Sequence, residues 1–239
     1  MVSTVIKNWD KNNWLSSKDY ILSFINFLLK SKKLDVNSKI LDIGCGRGKI
    51  IGVLSSKLRL KDKPIGIDLI NHRDKDKRFY FKKIDALSFF SLNRIKFDLI
   101  IVKQTIHLLR MNEIKILLNE MKKSLSSTGK ILILTLNPKM NEIPKFSLMN
   151  RKISKSLERD RKILKYIVKL YPKITLRHFT YKVKISKKKY IEMIKQRYIS
   201  TLLGLTTKQI LAGVKEINSK YNNMLKFNDK LVCIIIKNN

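Results

Sequence analysis

The stretch Ile40-Leu41-Asp42-Ile43-Gly44-Cys45-Gly46-Arg47-Gly48 decides the fold. Lys39–Ile43 is a short apolar run. It enters three glycines placed at every second position, and Ile50, Ile51, Leu54 and Leu58 then recur at helical spacing. The order is strand, tight loop, helix. Glycine suits a loop whose backbone turns sharply and lets a ligand come close. Spacing separates the ligands such a loop serves. A dinucleotide loop, G-x-G-x-x-G, needs its third glycine at position 49, which is Lys49. A phosphate loop ending in Gly48-Lys49 needs glycine at 43 and Ser or Thr at 50; the residues are Ile43 and Ile50. What remains is an acid followed by alternating glycines, D-x-G-x-G-x-G.

Outward from the loop, strands are predicted at Pro64–Asp68, Phe79–Ile84, Phe97–Lys103 and Lys130–Leu136. Helical spacing marks Tyr20–Leu29 upstream and Ala86–Ser91 downstream. Ile114, Leu117, Leu118, Met121 and Leu125 mark a further helix, with Gly129 as its post-helix stop. Asn71–Arg78 is a charged loop, too short for a full crossover helix. Strands alternating with helices over about 100 residues predict a parallel sheet with helices on both faces. After Pro138 the pattern gives a basic amphipathic helix, Lys152–Leu170, and a strand, Ile174–Ile185. Helices follow at Lys187–Tyr198 and Lys208–Tyr221, the second opened by the capping box Thr206-x-x-Gln209. Leu231–Ile236 is a final strand.

The chain has 239 residues, of which 52 are Lys or Arg and 18 Asp or Glu, for a net charge of +34. Hydrophobic residues make up 44%, which excludes a disordered polycation. Two cysteines, Cys45 and Cys233, exclude a disulfide scaffold and fit a reducing compartment. No apolar run approaches the roughly 18–20 residues that span a bilayer, and the first eleven residues carry no signal-peptide core. A soluble cytoplasmic protein with no membrane span is expected. The charge has two readings. It is an electrostatic footprint for nucleic acid, or, since only 11 of the 52 basic residues are Arg, the Lys-heavy mark of AT-rich coding.

Four elements in order carry a resemblance: Ile40–Gly48, Gly66-Ile67-Asp68, Lys83-Ile84-Asp85-Ala86 and Phe97-Asp98-Leu99-Ile100-Ile101-Val102. Over roughly Lys39 to Asn137 the sequence resembles the class I S-adenosylmethionine-dependent methyltransferases. The resemblance implies an α/β, Rossmann-like, doubly wound and mostly parallel seven-stranded sheet, with helices on both faces and a helical insert after the fifth strand. It implies one domain, 1–239. Its parts are an N-terminal helical lid (1–36), a donor-binding core (37–137), the insert (138–173) and C-terminal strands and helices (174–239).

The resemblance also assigns roles to the cofactor-binding residues. Gly44, Gly46 and Gly48 wrap the methionine part of S-adenosyl-L-methionine, and Asp42 orients that loop; Cys45, within the loop, belongs to the cofactor-binding set and reads, like Cys233, as a buried small hydrophobe. Asp68 accepts from the ribose hydroxyls, and Asp85 with the Ala86 backbone reads the adenine edge. Leu69, beside Asp68, and Lys103, ending the fourth strand, complete the set. The family has a fuller helix where this chain has Asn71–Arg78. Asp42 and Asp85 also read as turn or cap residues. One physical reason favours placed acids: the donor is a sulfonium cation, and a chain of charge +34 repels it unless carboxylates stand locally.

Methyl transfer from a sulfonium needs an aligned nucleophile and exclusion of water, and a base only where the acceptor is protonated. His107, in Lys103-Gln-Thr-Ile-His-Leu-Leu109, is the candidate catalytic residue, or else packs beside the donor. No Pro-Pro follows the fourth strand and no Pro-Cys loop is present. His72, His107 and His178 are scattered without metal-ligand spacing, so no metal is expected. Trp9, Trp14 and Tyr20 form a lid or pack on the sheet edge. Arg197–Leu203 with Thr206–Gln209 is loosely similar to the C-terminal helix pair of small-molecule methyltransferases of the trans-aconitate and ubiquinone-pathway kind. A small-molecule acceptor is therefore expected. RNA is the alternative, met by Lys152, Lys155, Arg159, Arg161, Lys162 and Lys165 on the basic helix, which also reads as a solvated face. A third reading is a donor-binding subunit without turnover.

Overall fold

Strand β1 (Ile40–Ile43) is buried at all four positions, as a strand covered on both faces must be. Residues 13–238 are described by the computed structural model, so Trp9 lies outside the described residues. The other strands are β2 (Ile65–Asp68), β3 (Tyr80–Lys83), β4 (Phe97–Lys103), β5 (Leu125–Leu136), β6 (Thr175–Ser186) and β7 (Met224–Lys237). They form one sheet in the order β3-β2-β1-β4-β5-β7-β6. Only β7 runs against its neighbours. The chain winds one way from β1 to β3 and the other way from β4 onward. The crevice at the carboxyl ends of β1 and β4 is thus the topological switch point, where ligands of open parallel sheets sit.

The helices are α1 (Lys18–Ser31), α2 (Lys49–Leu58), α3 (Ala86–Leu92), α4 (Met111–Lys123), α5 (Ser147–Leu170), α6 (Lys187–Lys195) and α7 (Thr207–Lys220). Alternate residues of β5 separate the two layers they form. Leu132 and Leu134 pack with α1, α2, α6 and α7, whereas Ile131 and Ile133 pack with α3 and α4. The Thr206–Gln209 capping box is present in both directions: the Gln209 N–H donates to Thr206 Oγ1 at 3.2 Å and the Thr206 N–H to Gln209 Oε1 at 2.9 Å.

Two sequence assignments need correction. Leu125 is not the end of a helix and Gly129 is not its stop. Helix α4 caps at Ser124, and Leu125 already pairs with Phe97 before the register breaks and resumes at Lys130 opposite Leu99. Gly129 serves that break, since a Cβ there would fall 2.6 Å from the Phe97 carbonyl oxygen. Leu125 is buried as either element, which is why helical spacing captured it. The last strand also starts seven residues early, at Met224. Met224–Lys230 alternates outward and inward faces around several polar residues, so it lacks the apolar run that marked Leu231–Ile236.

That extension shapes the upper end of the molecule. β5 pairs with β7 only as far as Leu136 opposite Leu231, while β6 and β7 stay paired to Ser186 opposite Met224. A two-stranded ribbon overshoots the sheet at its carboxyl end and carries α6 and α7. With the first half of α5 it makes a cap on the same side as the glycine loop. Phe146 lies against Gly213 of α7, and Glu216 accepts from the Ser147 N–H at 2.8 Å and hydroxyl at 2.7 Å.

Candidate functional site

At the end of β1 the chain leaves the sheet through glycines at φ +74° (Gly44), +54° (Gly46) and +65° (Gly48). This left-handed region strains any side-chain-bearing residue. The space is also taken. A Cβ would stand 2.1 Å from Thr105 Oγ1 at Gly44 and 2.1 Å from the Phe79 ring at Gly48. The Gly44 and Cys45 N–H groups donate to the Ile67 carbonyl at 2.9 and 3.1 Å. Gly46 N–H donates to Asp68 Oδ2 and Ile70 N–H to Asp68 Oδ1, both at 2.9 Å. Asp68 thus ties the glycine loop to the end of β2, with the exposed Leu69 beside it. Cys45 Sγ packs toward Gly66, and burial raises its thiol pKa.

The charged loop Asn71–Arg78 is fastened onto the glycine loop. Arg47, 2% exposed, donates from Nε to Asp74 Oδ1 at 2.7 Å, and the Asp76 N–H donates to the Arg47 carbonyl at 2.9 Å. Asp85 is exposed and caps α3, accepting the Ser88 N–H at 2.9 Å; the Ser88 side chain first, and its N–H second, hold the carboxyl below the usual range. Ala86 follows as the first residue of that helix. The cap reading of Asp85 is therefore realised, on the same crevice rim as Asp68.

Asp42 is buried, and its carboxyl is pushed up to about 7. Burial is the main cause, Asp68 adds to it and Lys103 opposes it. Lys103 ends β4 with its ammonium enclosed, 5.4 Å from the Tyr20 ring centroid and 5.6 Å from that of Phe24. Burial lowers its pKa while Asp229 and Asp42 raise it. Lys103 therefore faces α1 and β7, between two buried carboxylates. Asp229 is 2% exposed and receives the Trp14 Nε1–H at 3.1 Å. Burial raises its pKa, opposed by the Trp14 bond and Lys103. The sequence reading missed Asp229. Its signal was position, for Leu225, Phe227, Asp229 and Leu231 are the inward slots of an alternating strand.

Trp14 and Tyr20 lie in the interior. The Trp14 ring meets Phe227 at 5.3 Å and Tyr198 at 5.4 Å between centroids. Tyr190 donates to the Pro144 carbonyl at 2.5 Å and shares a hydrogen bond with Tyr198 at 3.0 Å. The Tyr20 hydroxyl is buried with no hydrogen-bond partner among the described residues.

After β4, Gln104 takes a left-handed turn (φ +53°) and sets Thr105 against Gly44. A short 3-10 turn, Ile106–Leu108, then carries the half-buried His107. Helix α5 crosses this turn, with Arg159 Nη2 donating to the Leu109 carbonyl at 2.7 Å. Burial lowers the His107 pKa; Asp160 on α5 raises it and Arg159 lowers it. Among the described residues no group of three His, Cys, Asp or Glu side chains is placed to hold a metal, and no helix is long and apolar enough to cross a membrane.

The family model described as "Methyltransferase domain" matches residues 34–228. No curated protein matches the sequence. Among solved structures, a SAM-dependent methyltransferase from Archaeoglobus fulgidus is 19% identical, with 92% of this chain and 94% of that one covered at a TM-score of 0.55. The plantazolicin methyltransferase BpumL, in complex with a pentazolic desmethylPZN analog and SAH, is 18% identical over 98% and 95% at 0.52. The N-methyltransferase NodS from Bradyrhizobium japonicum WM9, in complex with S-adenosyl-L-homocysteine, is 15% identical over 96% and 93% at 0.52. At these identities the likeness is one of fold.

Proposed function

Because the chain belongs to the methyltransferase-domain family, and is thus a class I S-adenosylmethionine-dependent methyltransferase, we propose that it methylates a small-molecule acceptor enclosed by the cap. The residues present fit the donor. The left-handed glycines form a cradle that a Cβ would fill, and a buried carboxylate, Asp42, calls for a cationic partner. In this reading Asp42 and the Gly44–Gly48 loop hold the amino-acid end. Asp68 takes the ribose and Asp85–Ala86 the adenine, with Leu69 against the ring. Lys103 acts through its charge on Asp42. When bound, S-adenosylmethionine supplies a methyl group already activated on a sulfonium. The protein then has to align the acceptor and keep water out. Residues 37–137 would be the donor half and the remainder the acceptor half of one domain.

The observation that carries the small-molecule reading is the overshooting β6–β7 ribbon. It carries the α6–α7 cap at the glycine-loop end, and the Trp14–Tyr190–Tyr198–Phe227 cluster fills it. BpumL and NodS, similar in fold, are a plantazolicin methyltransferase and an N-methyltransferase. The test supplies methyl-labelled donor to the protein with a cell extract. Label that stays in the small-molecule fraction after nuclease and protease treatment supports the reading. Label abolished by prior RNA digestion sinks it in favour of RNA.

A further inference from the structure

Strand β6 closes the sheet at one margin, with β7 as its only neighbouring strand among the described residues. Its pairing with β7 keeps one register throughout, from Thr175 opposite Ile235 to Ser186 opposite Met224. Just past that end, and in the same register, the Lys187 N–H donates to the Asn223 carbonyl at 2.8 Å. Bonded and unbonded pairs alternate along an antiparallel ladder. Odd-numbered residues of β6 therefore bond to β7. On the far side of β7 the Asn137 N–H donates to the Lys230 carbonyl at 2.9 Å, which gives β5 the even-numbered residues of β7 and leaves the odd ones to β6. Leu176, His178, Thr180, Lys182 and Lys184 thus turn their N–H and C=O groups to the open margin. Helix α1 lies against the same strand. Ser23, Asn26, Phe27 and Lys30 of α1 and residues 178–180 of β6 line a groove of about 340 Å³. Its apolar wall is the half-buried Phe27, whose ring lies 5.5 Å from that of Phe179. Its charge is positive. Lys30 is exposed, Arg177 Nη1 donates to the Lys30 carbonyl at 2.9 Å, and Lys57 Nζ donates to Asn26 Oδ1 at 3.1 Å. Lys182 and Lys184 stand exposed farther along β6. Strand β6 holds no acid, and α1 holds only Asp19.

We propose that this margin docks an extended acidic segment of a partner protein, added to the sheet as a strand beside β6. The backbone of the segment bonds to the outward N–H and C=O groups of His178 and Thr180, the main-chain recognition that strand addition uses. Its side chains alternate between the two faces of the sheet. On the face shared with Phe179 they enter the groove, where an apolar one packs on Phe27 and a carboxylate meets Lys30 and Arg177. On the other face carboxylates meet Lys182 and Lys184. Charge selects the occupant. A neutral strand gains the backbone bonds alone, a basic one is repelled, and an acidic one is drawn in along its whole length. Strands β7 and β5 separate β6 from β4, so the crevice at the glycine loop stays open while the margin is occupied. The site is independent of what that crevice binds.

The experiment titrates the full-length protein with an end-blocked peptide of alternating Glu and Val and follows the backbone amides by NMR. Binding should slow hydrogen exchange at the outward amides of His178 and Thr180 by about tenfold or more, while Phe179 and Tyr181, already bonded to β7, keep their rates. The same peptide N-methylated throughout keeps its carboxylates and loses every backbone donor; it should bind at least about tenfold more weakly. A peptide of alternating Lys and Val should not bind. Thr180→Pro removes one outward N–H at an edge position, where a strand tolerates proline. Lys30→Glu reverses the charge of the groove wall and serves if Thr180→Pro does not fold. Each should weaken the acidic peptide at least about tenfold. Equal binding of the N-methylated peptide, or no protection at His178 and Thr180, overturns strand addition. Equal binding of the Lys peptide overturns the acidic partner, and no binding of the Glu peptide overturns the site. Protection of the same two amides in the protein alone, rising with its concentration, gives the margin to a second copy and overturns the proposal as well.

Discussion

Trp14 Nε1 donates to Asp229 Oδ2 at 3.1 Å across 215 residues of sequence. The bond joins the start of the described chain to the ribbon that carries the cap, and Asp229 in turn faces Lys103 at the end of β4. Trp14→Phe keeps the ring contacts but leaves a buried carboxylate without that donor. A loss of about 1–3 kcal/mol is expected, read as a lower denaturation midpoint at unchanged slope.

Lys103, half-buried, is drawn to the buried Asp42 on one side and the buried Asp229 on the other. Lys103→Met removes a cation whose charge acts on both buried carboxylates. A loss of about 1–3 kcal/mol is expected, less than for breaking a hydrogen-bonded buried pair. Asp229→Asn added to Lys103→Met should recover part of it, and chemical denaturation of the single and double variants measures how much.

Asp42 gives stability a definite pH slope. Its folded pKa, about 7, lies above the ordinary aspartate value of 3.8. Between those values the folded state holds a proton that the unfolded chain has lost. Its contribution is therefore full at low pH and fades as pH rises toward 7. The melting temperature of the wild type relative to Asp42→Asn should fall from pH 4 to pH 7 and level off above. Binding of a cationic donor favours the ionised carboxylate, so donor affinity should rise over the same interval.

Asp68 accepts two backbone N–H bonds that fix the glycine loop to β2. Bonds to charged acceptors are worth about 1.5–3 kcal/mol each. Asp68→Ala should weaken S-adenosylhomocysteine binding at least about a hundredfold in a calorimetric titration. Unchanged affinity would remove Asp68 from the donor site.

Gly44→Ala adds a Cβ at φ +74° and 2.1 Å from Thr105 Oγ1. Backbone strain of about 1–3 kcal/mol plus the clash should reduce donor affinity more than global stability. Thr105→Ala removes the two nearest atoms but leaves its Cβ at 2.9 Å, so the double variant should regain only part of the affinity.

The half of the fold around the glycine loop was legible because its signals are local. Apolar runs mark strands covered on both faces, and alternating glycines mark a left-handed turn at Gly44, Gly46 and Gly48. Asp160 and Asp229 were not, and for a shared reason. Each fills an inward slot in an otherwise apolar pattern, the α5 stripe and the β7 alternation. A pattern search scores such a residue as an interruption. For Asp229, only the groups brought opposite it from far along the chain, Trp14 and Lys103, turn the interruption into a site. Lys103 was singled out for the donor loop. Its burial over Tyr20 and Phe24 depends on α1, which no local spacing connects to β4.

The position of β6 at the end of the strand order has a consequence for the molecule in company. Its twelve residues leave one row of backbone groups without a neighbouring strand among the described residues, long enough to recruit the same row of another molecule. Arg177, Lys182 and Lys184 project exposed from that strand, and Lys82 and Lys83 from β3 at the opposite margin. Bringing two such rows together would stack like charges at strand spacing. Part of the +34 charge therefore stands guard against self-association of the sheet, a service that asks for no binding partner at all.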